Sequence, residues 1–226
     1  MNANNTLVAL TQRRILIVDD HPVVCLGLAR LIDSEPDLEI CGEACTPDEA
    51  FRQLSKSKPD LLLTDLTMPG RSGFEFVRDV LALQPNLSIL VVSMHDEMIY
   101  AERALRAGAR GYIMKESGGE NIIAAIRLVL RGQVYLSPKL TATFLDGLSC
   151  PSKQCSASPF RKLSDREFEV LRLLGQGNST GDIALQLHLS IKTVDAHRAN
   201  IKQKLNLKNA TELVSYAIRW IDTEKA

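Results

Sequence analysis

The sequence predicts an α/β domain built on a parallel sheet, followed by a smaller all-α domain of four helices. Between residues 14 and 131, short apolar runs rich in β-branched residues alternate with longer segments of helical periodicity, which is typical of strands joined by crossover helices. After residue 160 only segments of helical periodicity remain. The length of 226 residues is also typical of two domains.

The strands of the first domain are predicted at residues 15–18, 38–44, 61–64, 88–93 and 111–114. Its helices are predicted at residues 23–34, 47–56, 73–83, 97–107 and 120–131. In the last helix, Ile122, Ile126, Val129 and Leu130 share one stripe, as in a helix that packs on a sheet. Five βα units indicate a flavodoxin-like (βα)5 doubly wound parallel sheet, whose ligands bind at the carboxyl ends of the strands.

The domain limits follow from changes in composition. We expect the first domain at residues 1–131, with a flexible N-terminus at 1–12, and the helical domain at 161–226. Residues 132–160 form the predicted linker and contain one short helix. The segment SCPSKQCSASPFR at its end is rich in serine and proline and has no periodicity, as in flexible linkers.

The charges are unevenly distributed. Basic and acidic residues number 27 each, but there are 16 basic and 19 acidic residues up to residue 158, and 11 basic and 8 acidic residues after it. A basic second domain is typical of a nucleic-acid partner. No apolar run reaches the roughly 20 residues that span a bilayer, and residues 1–11 lack the regions of a signal peptide. We therefore expect a cytoplasmic protein with no membrane partner.

Polar residues lie where the predicted strands end. Asp19 and Asp20 follow the first strand, Asp65 the third and Lys115 the fifth, while Ser93 ends the fourth. Clustered carboxylates repel one another unless a cation lies between them, and Mg²⁺ prefers such oxygen ligands. With the metal held by Asp19 or Asp20, Asp65 is left as a carboxylate nucleophile that forms an acyl phosphate. Lys115 and Ser93 are placed to stabilise phosphoryl oxygens.

These residues resemble the receiver domain of two-component response regulators over about the first 131 residues. The resemblance implies that a sensor histidine kinase phosphorylates Asp65. It also implies that the backbone carbonyl of Thr67 joins Asp19, Asp20 and Asp65 around Mg²⁺, and that Tyr112 occupies the aromatic switch position. Glu116 stands where most family members have proline.

Two histidines lie near the predicted pocket. For His21 and His95 we expect exposed positions in loops, although His95 stands where it can influence the attack of water on the acyl phosphate. Tyr112 has an alternative interpretation as a fixed core residue.

The second domain carries the pattern of a DNA-binding helix. Ser190 is a predicted cap of a helix in which Val194, His197, Ile201 and Leu205 form the buried stripe. Small side chains on the opposite face favour entry into the major groove, and long polar neighbours reach bases and phosphates. The predicted DNA-contacting residues are Lys192, Thr193, Asp195, Ala196, Arg198, Ala199, Lys202 and Gln203. Asp195 would either repel phosphates or accept from a cytosine amino group.

The segment from 163 to about 220 resembles the LuxR-type helix-turn-helix of NarL/FixJ response regulators, through LSDREFEVLRLLGQG and the pattern S-x-K-T-V-x-x-H-R. We expect it to bind promoter half-sites as a homodimer, with half-sites about one DNA turn apart. RNA polymerase is a further candidate partner. The last helix, predicted at residues 211–221, has apolar residues on more than one side, which favours a dimer contact there.

The sequence therefore predicts a DNA-binding response regulator and not an enzyme. A phosphohydrolase would need Asp-x-Asp at the nucleophile, and Asp65-Leu66-Thr67 lacks the second carboxylate. The alternative is a regulator that does not depend on phosphorylation, for example one controlled by oxidation of Cys150 and Cys155 in the linker. The five cysteines have no metal-ligand spacing, which favours reduced thiols.

Overall fold

A computed structural model of the chain describes residues 12–68, 71–149 and 159–224. Residues 1–11, which make up nearly all of the predicted flexible N-terminus, lie outside the described residues. Cys150 and Cys155 also lie outside them.

The five predicted strands form one parallel sheet. They are β1 (Arg13–Val18), β2 (Leu38–Ala44), β3 (Leu61–Thr64), β6 (Ser88–Ser93) and β7 (Gly111–Met114), in the spatial order β2-β1-β3-β6-β7. The predicted bounds of four of these strands are confirmed, and β1 begins two residues earlier than predicted. Val18 pairs with Ala44 on one side and with Thr64 on the other. The register therefore ends β1 and β3 level with each other and brings Asp19 and Asp65 to the same edge.

Helices cover both faces of this sheet. They are α1 (Pro22–Asp33), α2 (Pro47–Ser57), α3 (Gly73–Leu83), α4 (Glu97–Ala107) and α5 (Gly119–Leu130). Alternate residues of β1 face opposite sides: Ile15 and Ile17 are buried against α1 and α5, whereas Leu16 and Val18 are buried in the core that includes α2, α3 and α4. The doubly wound α/β fold is thus confirmed.

A short antiparallel hairpin that the sequence pattern did not predict follows β3. It consists of β4 (Thr67–Met68) and β5 (Arg71–Ser72). The chain then enters α3 at Gly73, where a Cβ atom would lie only 2.3 Å from the carbonyl oxygen of Leu66. Glycine therefore permits the start of α3 to lie directly against the loop that follows Asp65.

The second half of the chain is helical. After α6 (Pro138–Ser149) and a 3₁₀ turn (Pro159–Lys162) come α7 (Asp165–Gly175), α8 (Thr180–Gln186), α9 (Ile191–Lys204) and α10 (Ala210–Glu224). The four predicted helices of this domain are confirmed. Ser164 and Glu167 form a capping box at α7, and Ser179 and Asp182 form another at α8. The predicted cap of α9 is present, because the Ser190 side chain accepts from the Thr193 amide.

The two halves share a buried aromatic contact. The ring of Tyr100 in α4 meets the ring of Phe168 in α7 edge-on, with centroids 5.1 Å apart. Phe168 in turn contacts Phe160 and Trp220. The core of the helical domain is therefore continuous with the core on the α4 side of the sheet. In the part of the chain that the structure describes, there is no helix with the length and apolar composition of a membrane span.

Candidate functional site

The carboxyl edge of the sheet brings two carboxylates and one ammonium together. The Nζ atom of Lys115 lies 2.8 Å from Oδ2 of Asp65 and 2.5 Å from Oδ2 of Asp19. All three side chains are at most 6% exposed. The backbone amide of Leu66 donates to the other oxygen of Asp65 at 2.6 Å. Both oxygens of the Asp65 carboxylate are thus bonded, which holds this side chain in one orientation.

Charge stabilises Lys115 in this pocket. Burial by itself lowers the pKa of the Lys115 ammonium, but the charges and hydrogen bonds of Asp65 and Asp19 outweigh burial and raise this pKa above its ordinary value. Lys115 therefore carries its positive charge beside Asp65 at neutral pH. The predicted grouping of Asp19, Asp65 and Lys115 is present in the structure.

The described residues of this edge include a set of ligand atoms that fits a hard cation. One ligand atom from each of Asp19, Asp20, His21 and Asp65 lies within 4.8 Å of the others. The carboxylates are the oxygen donors that Mg²⁺ prefers. The His21 ring is largely exposed, as predicted, and its Nδ1 atom lies 2.9 Å from Oδ1 of Asp20.

The hydroxyl of Ser93 is buried and lacks a hydrogen-bond partner among the described residues. This residue ends β6 and is 0% exposed. Buried polar atoms are normally paired, so an orphaned hydroxyl at the edge of an acidic pocket fits a group that arrives from outside. A phosphoryl oxygen on Asp65 is an acceptor of this kind.

Tyr112 is fully buried in this structure. Its hydroxyl donates to the backbone carbonyl of His95 at 2.8 Å. The aromatic side chain at the expected switch position is therefore turned inward and hydrogen-bonded to the loop between β6 and α4.

His95 lies in the loop after β6, as predicted, but the expectation that it is exposed is wrong, because the residue is half-buried. Its Nε2 atom lies 2.7 Å from Oγ1 of Thr67, and its ring stacks on the ring of Tyr100 with centroids 4.5 Å apart. The loop after β6 folds back on the hairpin, and this gives the imidazole both a polar partner and an aromatic one. His95 thus connects the segment that follows Asp65 with the aromatic contact to α7.

The predicted reading helix, α9, has its outer face open. The exposed members of the predicted DNA-contacting set are Lys192, Asp195, Ala196, Ala199 and Gln203, and the half-buried members are Thr193, Arg198 and Lys202. On the inner side, Val194 and Ile201 are fully buried, while His197 and Leu205 are half-buried. The small exposed side chains Ala196 and Ala199 lie one turn apart on the outer face.

Two basic side chains of α9 have partners within the domain. Arg198 donates to Oγ1 of Thr180 in α8 and lies 3.6 Å from Asp195. Lys204, the last residue of α9, pairs with Glu167 of the α7 capping box at 2.6 Å. Lys204 therefore serves the packing of α7 against α9, a role that spacing along one helix does not reveal.

A cluster of ion pairs that sequence reasoning missed joins the domains. Asp165, the first residue of α7, pairs with Arg103 of α4 at 2.8 Å and with Arg78 of α3. Arg103 also lies over the Phe168 ring at 4.4 Å and donates to the carbonyls of Phe160 and Leu163. These partners lie 57 to 65 residues from Arg103 along the chain, beyond the reach of any local pattern.

Comparisons with known proteins match both halves of the chain. The family model for the response regulator receiver domain matches residues 15–127, and the model for bacterial regulatory proteins of the luxR family matches residues 161–217. The oxygen regulatory protein NreC of Staphylococcus carnosus (strain TM300) is 39% identical over 210 residues, which cover 91% of this chain and 97% of NreC.

Solved structures show the same two-part architecture. RcsB from Salmonella enterica serovar Typhimurium, bound to the promoter rprA in the presence of the phosphomimetic BeF3⁻, is 25% identical with a TM-score of 0.67. That match covers 91% of this chain and 98% of the RcsB chain. The response regulator ChrA of a heme-sensing two-component system is 30% identical with a TM-score of 0.51, over 94% of this chain and 99% of ChrA.

Proposed function

Since the chain belongs to the response regulators that join a receiver domain to a LuxR-family DNA-binding domain, we propose that phosphorylation of Asp65 controls its binding to promoter DNA. The proposal rests on the pocket around Asp65, where the buried Lys115 ammonium bonds to the Asp65 carboxylate. The neighbouring strand β6 ends at Ser93, whose hydroxyl has no hydrogen-bond partner among the described residues. The phosphorylated protein would be a regulator of transcription in the cytoplasm, not an enzyme that turns over a separate substrate.

The phosphoryl donor is a phosphohistidine of a sensor histidine kinase. A carboxylate oxygen of Asp65 forms a bond to phosphorus as the bond between phosphorus and the histidine nitrogen breaks, and the departing imidazole takes up a proton from water. Lys115 neutralises the charge on the transferred group, and Ser93 donates to one of its oxygens. Mg²⁺, held by Asp19, Asp20, Asp65 and the Thr67 carbonyl, would supply positive charge to the phosphoryl oxygens when bound.

Beside this pocket the receiver domain has an accessible apolar surface to which the kinase can bind. Val23 and Leu26, on the first turns of α1, are 82% and 55% exposed. They lie two and five residues after His21 in the chain, close to the acidic cluster that includes His21. Neighbouring exposed apolar side chains that form a patch are typical of a protein-protein contact, so we assign this end of α1 to the kinase.

The helical domain would read a promoter half-site with α9. Its exposed face offers small side chains at the centre and polar side chains at the margin, an arrangement that suits the major groove. A homodimer would place two such helices on half-sites about one DNA turn apart. Ile218 of α10, a large apolar side chain that is 40% exposed, supports a dimer contact on that helix. RcsB has been solved bound to the promoter rprA in the presence of the phosphomimetic BeF3⁻, which supports a link between phosphorylation and promoter binding in this chain.

The signal would travel through α4. Bonding of Ser93 to the phosphoryl group draws in the loop after β6, whose carbonyl at His95 already accepts from Tyr112. That loop precedes α4, the helix that holds α7 through Tyr100 and Arg103. A change at Asp65 thereby reaches the interdomain contact and frees the domains to pair with those of a second copy.

The test is the intact mass of the full chain after incubation with acetyl phosphate and Mg²⁺. The parent chain and the control Asp33→Asn, which removes an exposed carboxylate at the end of α1, should each gain the mass of one phosphoryl group. Asp65→Asn should gain none. An unmodified parent chain, or a modified Asp65→Asn chain, would refute the assignment of Asp65.

Gel shifts test the second half of the proposal. The parent chain should bind promoter DNA more tightly after acetyl phosphate treatment, and Asp65→Asn should show no such gain. Equal affinity of the treated and untreated parent chain would contradict control by phosphorylation.

A further inference from the structure

The reading face of α9 carries an acidic side chain in an unusual setting for a DNA-binding helix. Asp195 is 59% exposed and lies next to Ala196 and one turn before Ala199, both of which are exposed. A short aspartate reaches a base only if the helix backbone comes close to the groove floor. The neighbouring methyl groups permit this approach, since longer side chains there would hold the helix away.

The position of Asp195 relative to α8 places it on the side that a helix-turn-helix presents to DNA. Arg198, one turn after Asp195, donates to Thr180, the first residue of α8. The Asp195 side of α9 therefore lies next to the start of α8. In a helix-turn-helix complex the recognition helix enters the major groove while the preceding helix crosses the DNA backbone, so this side of α9 is close to the duplex. The ion pair between Asp195 and Arg198, at 3.6 Å, is long and exposed, and such pairs contribute little. Asp195 is thus free to exchange this partner for a base.

The chemistry of a carboxylate selects among the bases. An ionised aspartate accepts hydrogen bonds and donates none. In the major groove, guanine presents only acceptors, and thymine presents an acceptor and a methyl group. Adenine presents its amino donor beside the N7 acceptor, which repels a carboxylate, whereas cytosine presents the N4 amino donor without an adjacent acceptor.

We propose that Asp195 is a specificity-determining residue that selects cytosine at one position of each half-site. This inference rests on the proposed reading of DNA by α9 and names the base that one of its residues recognises. Ala196 and Ala199 would favour thymine at neighbouring positions through contact with the C5 methyl group. Guanine or thymine would leave the carboxylate without a donor, and adenine would place its N7 acceptor beside the carboxylate, in the negative field of the phosphates.

The experiment is selection from a library of random double-stranded DNA with the full chain, treated with acetyl phosphate and Mg²⁺ throughout. The four proteins are the parent chain, Asp195→Asn, Asp195→Ala and the control Asp222→Asn, which neutralises an exposed carboxylate on α10. The parent and control chains should enrich cytosine at one position per half-site by about fivefold over other bases, the low end for a base contact.

The two substitutions of Asp195 should change the base preference at that position in different ways. Asp195→Asn should shift the preference from cytosine to adenine, because asparagine pairs with both N6 and N7 of adenine. Asp195→Ala should lose the preference there and keep it elsewhere. An enriched motif that is the same for all four proteins would overturn the role of Asp195 while leaving the proposed function intact. A parent chain that enriches no motif would overturn the reading of DNA by α9 itself.

Discussion

Replacing Arg103 with alanine should open the contact between the receiver and the DNA-binding domain. Its side chain is only 11% exposed and pairs with Asp165, which is 14% exposed. Truncation removes this pair, the bonds to the Phe160 and Leu163 carbonyls, and the cation that lies over the Phe168 ring. The largest single effect is on Asp165, which keeps Arg78 as a remaining partner.

The magnitude follows from these contacts. A hydrogen bond to a charged group contributes about 1.5–3 kcal/mol, and a partly desolvated cation–π contact adds about 1 kcal/mol. Because Arg78 still compensates Asp165 and water enters the opened site, we expect a net loss of about 3 kcal/mol. This loss shifts the ratio of closed to open chains by roughly a hundredfold. The matched control is Arg106→Ala on the same helix, where the side chain is 63% exposed and pairs with Glu102; such a pair contributes only about 0.5 kcal/mol.

Small-angle X-ray scattering and hydrogen exchange measure the opening. Arg103→Ala should increase the radius of gyration and speed the exchange of amides in α4 and α7, while Arg106→Ala should match the parent chain. Each domain should keep its own cooperative unfolding, since the substituted side chain lies between the domains. If the two variants gave the same scattering and exchange, the argument that Arg103 holds the interface would be refuted.

Three further outcomes are expected. In gel shifts, His95→Ala should lower the ratio of the DNA affinities measured with and without phosphorylation, whereas substitution of the exposed neighbour Met94 by alanine should leave this ratio unchanged. An unchanged ratio in both variants would exclude a role for the imidazole. Burial raises the pKa of Glu169 in α7, so protonation of this side chain favours the folded chain, and the free energy of unfolding should fall as pH rises from the ordinary to the raised pKa. Chemical unfolding at about pH 4 to 8 should show a smaller dependence of this free energy on pH for Glu169→Gln than for the parent chain, and an equal dependence would contradict the prediction. Arg127 holds the pKa of Asp37 below its usual range, so Arg127→Gln should cost about 1 kcal/mol at neutral pH, and the deficit should shrink in acid as Asp37 is protonated; a deficit independent of pH would argue against this pair.

The sheet and the ends of its strands were predictable because their signals are local. Each strand is a short apolar run, and a polar residue at its end reaches the same edge as the others in any parallel sheet. The strand ends therefore predict that Asp19, Asp65, Ser93 and Lys115 lie at one edge of the sheet. The predicted ends of α1, α2 and α5 differ from the observed ends by one residue, because cap geometry depends on neighbouring loops.

The remaining features depend on contacts between distant segments. The partners of His95 lie in the hairpin and in α4, so predicting its contacts requires knowledge of how the loop after β6 folds back. The hairpin itself has strands of only two residues, too short for any periodicity. Arg103 and Asp165 are ordinary surface residues in the sequence, and only the docking of α7 on α4 makes them partners.

The accessibility of α9 while α7 stays docked on the receiver has a consequence for gene control. A chain whose reading helix already faces solvent can scan the chromosome before any signal arrives, with the weak affinity of a single half-site. Signalling would then act by tethering two readers, which multiplies residence time through effective concentration. Such a switch changes how steeply occupancy rises with protein concentration, and it predicts leaky expression from promoters whenever the regulator is abundant.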